Sequence, residues 1–177
     1  MIYFVRHGQS EANKIGLFAG QRENSALTLQ GKEQAKIAAQ NIQSEIPRVD
    51  RIVYSPLQRT LETATIIAEK IGFNPDAIQI DHRVIEYDMG SLTGTPFHNI
   101  SSITLTSAQG AENPKQFYNR VYSCLKELSK LQETILIVSH AGVGRMVETI
   151  KNNTAAELFY DLPAYPNGSI IKIDLSI

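Results

Sequence analysis

Two histidines in this chain each close a short apolar run. Ile2–Val5 ends in Arg6-His7-Gly8, and Ile135–Val138 ends in Ser139-His140-Ala141-Gly142. A neutral imidazole is a nucleophile near neutral pH and can take up a phosphoryl group. Arg6 stands beside the first histidine, and Arg59 follows another apolar run, Arg51–Tyr54, at what reads as the start of a helix. Arginine offers a planar fork suited to phosphate oxygens. A helix N-terminus adds unpaired N–H groups and a positive dipole end. Brought together, these groups describe a site for a multiply charged oxyanion, and a phosphoryl group fits it best. A covalent route also needs an acid for the leaving oxygen and then a base for water. Glu86, in "VIEYDMGSLTG", is the carboxylate that stands out, and Asp88 competes with it.

For these groups to meet, strands must carry them to one edge. Strands are expected at Ile2–Val5, Arg51–Tyr54, Ala77–Ile80, Thr134–Val138 and Ser169–Leu175. The first and fourth are continuously apolar, as strands covered on both faces are. Helical patterns lie between them. Thr28 caps one that runs to about Glu45, before Pro47. Ser55 reads as the N-cap of the next, with Pro56 in its first turn and Gln58 completing a capping box. Asn113-Pro114 opens a third, and a fourth follows His140 from about Val143 to Lys151. Strands alternating with helices imply a three-layer α/β/α sandwich with a mostly parallel sheet. In such folds ligands gather beyond the carboxyl ends of the strands. Arg6-His7, Ser55 to Arg59 and His140 all fall there, and Gly8 is expected to let the backbone approach an anion. The polar stretch 91–113 reads either as a lid that sets specificity or as a loop with one short helix.

The chain resembles the histidine phosphatase superfamily, which includes cofactor-dependent phosphoglycerate mutases and small broad-specificity phosphatases. The resemblance rests on five ordered segments. "RHGQSEAN" carries Arg6, His7, Gly8, Ser10 and Asn13, and "LTLQGKEQA" follows it. "VYSPLQRTLETA" carries Ser55, Leu57, Arg59, Thr60, Glu62, Thr63 and Ala64. "IEYDMGSLTG" carries Glu86, Gly90 and Gly94, and "VSHAGVGR" carries His140 and Gly142. The resemblance implies a single phosphoglycerate mutase-like domain over 1–177. It implies a metal-independent phosphomonoesterase with His7 as nucleophile and Glu86 as proton donor. Arg6, Arg59 and His140 would stabilise the transferring group. Ser10, Asn13, Gln21 and Ala141 would make further substrate contacts. No metal or other cofactor is implied. The alternatives are a mutase that returns the phosphoryl group to a sugar acid, a phosphohistidine protein phosphatase, and a phospho-ligand binder without turnover. Zinc held by His7, His140 and Glu86 is disfavoured because two arginines would repel a cation.

The remaining residues narrow the class. Seventeen Lys and Arg balance eighteen Asp and Glu for a net charge of −1, without basic runs. Nucleic acid is therefore not an expected partner. No apolar run is long enough for a membrane span, and no signal-peptide pattern opens the chain. A cytoplasmic protein acting on a small phosphorylated metabolite is expected, with a homo-oligomer left open. Cys124, the single cysteine, reads as core. His82 and His98 read as surface or loop residues. Tyr87, Met89 and Phe97 either line the leaving-group pocket or pack in the core. The segment "SLTGTPFHNISSITLTSAQGAENP" has no Lys or Arg. Its neutrality weighs toward a single phosphate on a neutral or modest leaving group.

Overall fold

The computed structural model describes residues 1–174. Five strands form one sheet: β1 Ile2–Arg6, β2 Arg51–Tyr54, β3 Gln79–Ile80, β4 Ile135–Ser139 and β5 Ile170–Ile173. Their order is β3-β2-β4-β1-β5. All neighbours are parallel except β5, which runs antiparallel to β1. The helices are α1 Glu11–Lys14, α2 Leu29–Glu45, α3 Gln58–Ile71, α4 Ser102–Thr106, α5 Pro114–Leu128 and α6 Ala141–Lys151.

The apolar runs explain the layering. Successive strand residues face opposite sides. Val5, Ile52, Leu136 and Val138 therefore pack with Ala38, Ala39, Ile42, Ala64 and Ile67 of α2 and α3. Phe4, Val53, Ile135 and Ile137 face the other way, onto Val121 and Cys124 of α5 and Met146 and Val147 of α6. The result is the expected three-layer α/β/α sandwich. Cys124 is fully buried within it. Among the described residues no helix is long and apolar enough to cross a membrane.

Several boundaries differ from expectation. β3 is shortened because Pro75–Ala77 forms a 3₁₀ turn capped by the Asn74 side chain. β5 ends at Ile173, and Leu175 lies outside the described residues. α6 begins two residues early, with His140 as its N-cap. α3 begins at Gln58 with Leu57 as N-cap, so Ser55 is not its cap and Pro56 precedes the helix. The orphan N–H of Gln58 is met by Asn24 Oδ1, 2.7 Å away, from a distant loop. The Gln58 amide bonds Glu62 instead of closing a capping box. The 91–113 stretch contains α4 and packs down. Leu105 is fully buried, and Ser102 and Asp161 exchange two hydrogen bonds.

Gly8 serves a packing role different from the expected one. A Cβ there would sit 2.1 Å from the carbonyl oxygen of Gly31, and a Cβ on Gly31 would meet that of Gln9 at 2.1 Å. Two glycines thus let the turn after β1 lie against the first turn of α2.

Candidate active site

The carboxyl ends of β1, β2 and β4 lie side by side, with Arg6 opposite Ser139 and Tyr54 opposite Val138. The peptide N–H of His7 donates to Ser139 O at 2.9 Å, and that of Ser55 donates to Val138 O at 3.1 Å. Sheet hydrogen bonding therefore continues one residue past the strands and pins the residues that follow. An open cleft of about 650 Å³, counting its solvent-filled mouth, lies over this edge. Arg6, His7, Asn13, Arg59, Glu86 and Ala141 all line it.

The hydrogen bonds of His7 define its tautomer. Its Nδ1 lies 2.6 Å from Gly8 O. A carbonyl oxygen only accepts, so Nδ1 carries the hydrogen. Nε2 then keeps its lone pair, and Arg59 Nε donates to it at 3.3 Å. The imidazole is buried, and desolvation holds its pKa well below the ordinary value; the charges of Arg59 and Arg6 act in the same direction. His7 is thus neutral, with its Nε2 lone pair accepting from the arginine. Arg59 is itself anchored by two backbone carbonyls, donating to Glu23 O at 3.0 Å and to Gly20 O at 2.9 Å.

His140 lies behind His7, with ring centroids 5.1 Å apart, and is fully buried without lining the cleft. Its Nε2 is 2.6 Å from the Ser55 hydroxyl. Its Nδ1, like Arg6 Nε, is buried without a hydrogen-bond partner among the described residues. Burial, then Arg59 and His7, hold its pKa well below the ordinary value. Ser55, read from sequence as a helix cap, partners this histidine instead.

Glu86 is buried and accepts two backbone hydrogen bonds, from Tyr87 N at 2.8 Å and from Gly142 N at 3.1 Å. The second comes from the first turn of α6, where the dipole favours an anion. The loop that carries Glu86 is held through its main chain. Gln21 Nε2 and Arg120 Nη2 both donate to Glu86 O, at 2.8 and 3.0 Å. Arg120 also bonds the carbonyls of Arg83 and Ile85 and pairs with Glu112. Sequence reasoning missed Arg120, because its helical position shows only that it shares α5 with a buried stripe.

The other expected residues fall in different places. Asn13 Oδ1 accepts from Ser10 N at 3.2 Å and Asn167 Nδ2 at 3.4 Å, which leaves its own NH₂ free as a donor. Ser10 is fully buried and caps α1, and Gln21 serves the Glu86 main chain; neither lines the cleft. Asp88 pairs with Arg22 at 3.0 Å and does not line the cleft either. Met89 and Phe97 line it, whereas Tyr87 packs in the core on Phe117 and Phe159. His82 is exposed, and His98 stacks edge-on against Phe18. Among the described residues no three His, Cys, Asp or Glu side chains cluster as a metal site.

The depressed histidines tie stability to pH. Below about 6.5, the ordinary histidine value, the unfolded chain binds protons on both residues and the folded chain does not. The unfolded state then holds more protons, so stability is lost as pH falls below that value. The expected loss for each histidine is about 1.4 kcal/mol in all between pH 7.5 and 5.5, most of it below 6.5. Urea denaturation at pH 7.5, 6.5 and 5.5 measures it, and His7→Gln should remove about half of the histidine-dependent slope. An unchanged slope would contradict the assignment.

Comparison with known proteins identifies the family and the fold. The model of the histidine phosphatase superfamily (branch 1) matches residues 2–176. Phosphoserine phosphatase 1 of Hydrogenobacter thermophilus (strain DSM 6534 / IAM 12695 / TK-6) is 34% identical over 153 residues, covering 78% of this chain and 70% of that protein. The protein named "Probable phosphoglycerate mutase GpmB" of Enterobacter sp. (strain 638) is 31% identical over 198 residues, covering 98% and 84%. Among solved structures, Bacillus stearothermophilus YhfR superposes with a TM-score of 0.80 at 23% identity, covering 98% of this chain and 91% of that one. A mycobacterial glucosyl-3-phosphoglycerate phosphatase superposes with a TM-score of 0.79 at 21% identity, covering 96% and 90%. These two likenesses show the fold.

Proposed function

The chain belongs to the histidine phosphatase superfamily, and from that membership we propose that it is a metal-independent phosphomonoesterase working through a phosphohistidine on His7. The observation that carries this reading is the His7 tautomer. Nδ1–H is committed to Gly8 O, and the Nε2 lone pair, met only by the long 3.3 Å contact from Arg59 Nε, is the one at the cleft.

In the first step Nε2 attacks phosphorus and the P–O bond to the leaving group breaks. Glu86 acts as the general acid and gives a proton to the leaving oxygen. Arg6, Arg59 and the Asn13 amide stabilise the charge on the phosphoryl oxygens. Among the described residues the Ser55 hydroxyl has no other partner, so it donates to His140 Nε2 and leaves the N–H of that buried ring on Nδ1. In the second step water attacks the phosphohistidine, Glu86 takes a proton from it, and the P–N bond breaks. Inorganic phosphate leaves, and the His7 lone pair is restored. The donors that surround His7 favour an anion there: two guanidinium groups adjoin it and one carboxylate faces them.

Hydrolysis of a chromogenic phosphate monoester in excess chelator tests the reading. Turnover is expected to be unaffected by the chelator. Loss of turnover on chelation would overturn the metal-independent mechanism, and binding of phosphate without turnover would overturn the enzymatic one. Phosphoryl transfer to an added hydroxy acid in preference to water would assign a mutase.

A further inference from the structure

Arg145 is one helical turn beyond Ala141 on α6, so the two side chains share a face, and both line the cleft. One turn corresponds to about 6 Å along the helix, away from the end next to His140. Arg145 Nε donates to Leu162 O at 2.8 Å. The guanidinium lies over the Tyr160 ring, 4.0 Å from its centroid. Tyr160 is buried and lines the same cleft. These contacts set the plane of the guanidinium and leave most of its five N–H donors unused. Among the described residues Arg145 makes no ion pair. Glu86 is the one carboxylate among the described residues that line the cleft, and backbone N–H groups already occupy both its oxygens.

Arg145 adjoins the phosphoryl clamp on its Arg6 side. The cations that act on His7 are Arg59 and Arg6, whereas Arg145 acts on Arg6. Leu17, Phe18, Met89 and Phe97 supply apolar lining to the same cleft. A bound phosphomonoester therefore has apolar wall for its carbon chain and a fixed, unpaired guanidinium a helical turn from Ala141. An oriented guanidinium with free donors binds a carboxylate or phosphate through paired hydrogen bonds.

We propose that Arg145, stacked on Tyr160, recognises a second acidic group on the leaving group. The substrate class is then a phosphomonoester of a short acid, bearing a carboxylate or a further phosphate beside the reacting one. This inference rests on the phosphatase reading above and identifies the substrate class within it. It reverses the sequence-based weighting toward a neutral leaving group, because the second cation comes from α6 and not from the 91–113 stretch.

Matched esters test it. O-phosphoserine and phosphoethanolamine differ by one carboxylate, as do 3-phosphoglycerate and glycerol 3-phosphate by a carboxylate against a hydroxymethyl; 2,3-bisphosphoglycerate probes a second phosphate. The native enzyme is expected to favour the acidic member of at least one pair by about 10- to 100-fold in kcat/KM, mainly through KM, as a charge-assisted pair supplies. In Arg145→Gln that ratio should collapse toward one, and Arg145→Lys should restore part of it. Equal use of the matched esters by native protein, or an unchanged ratio in Arg145→Gln, overturns the inference. Calorimetric binding of the same pairs to His7→Ala protein, with and without Arg145→Gln, reads the subsite without turnover. If every ester fails to turn over but the binding preference is present and depends on Arg145, the phosphatase reading fails and the subsite stands. If binding shows no preference, the subsite fails whatever the catalysis.

Discussion

His7→Ala is expected to lower kcat/KM for any phosphomonoester by at least about 10⁴-fold, the scale on which covalent enzymes lose activity with their nucleophile. The expectation comes from Nε2, which carries the only imidazole lone pair that lines the cleft among the described residues. His140 cannot substitute, because it is fully buried behind His7 with its Nε2 on Ser55. Rapid quenching with labelled substrate should trap an acid-labile, alkali-stable phosphoryl group on native protein and none on His7→Ala. Phosphate binding should persist in the variant, since Arg6, Arg59 and the Asn13 amide remain. A label of undiminished yield on His7→Ala would remove His7 as the nucleophile.

Gly142→Ala is expected to cost about 10²- to 10³-fold in kcat while leaving the protein folded, a loss comparable with removing a general acid. A Cβ at this position would lie 2.2 Å from Glu86 Oε1 and 3.5 Å from Tyr87 Cβ. The backbone around Gly142 belongs to α6, which packs beneath the sheet, whereas the obstructing atom is the end of a side chain. Glu86 therefore moves and the helix does not. Moving it breaks the hydrogen bonds from Tyr87 N and Gly142 N that aim the carboxyl group. Glu86→Gln should cause a loss of similar size by removing the proton instead. The double variant should be little worse than either single one, because both act on one group. Additive losses would show that Gly142 acts on something other than Glu86.

Much of this site was legible because it lies at strand ends. Short apolar runs identify buried strands, and parallel strands place their carboxyl ends together, so Arg6-His7, Ser55 to Arg59 and His140 had to meet. The helix starts were less legible. Ser55-Pro56-Leu57-Gln58 has the composition of an N-cap, yet the Ser55 hydroxyl goes to buried His140, and Asn24 caps the helix from another loop. Local propensity yields here because leaving a buried imidazole unpartnered costs more than moving a helix start by two residues.

The amino-acid sequence sufficed for the α/β layering, for the two histidines and two arginines at one edge, and for Glu86 over Asp88 as the first candidate acid. Periodicity and strand-end position are local patterns, and they survive without coordinates. Tertiary structure decided which nitrogen of His7 is free, which residue orients His140, and that Gly8 packs on Gly31. It also decided that Arg120 holds the acid loop and that Arg145 enters the cleft. Each of these depends on a contact between residues far apart in the chain. Hydrogen-bond direction and steric clearance are properties of such contacts, and no window of sequence contains both partners.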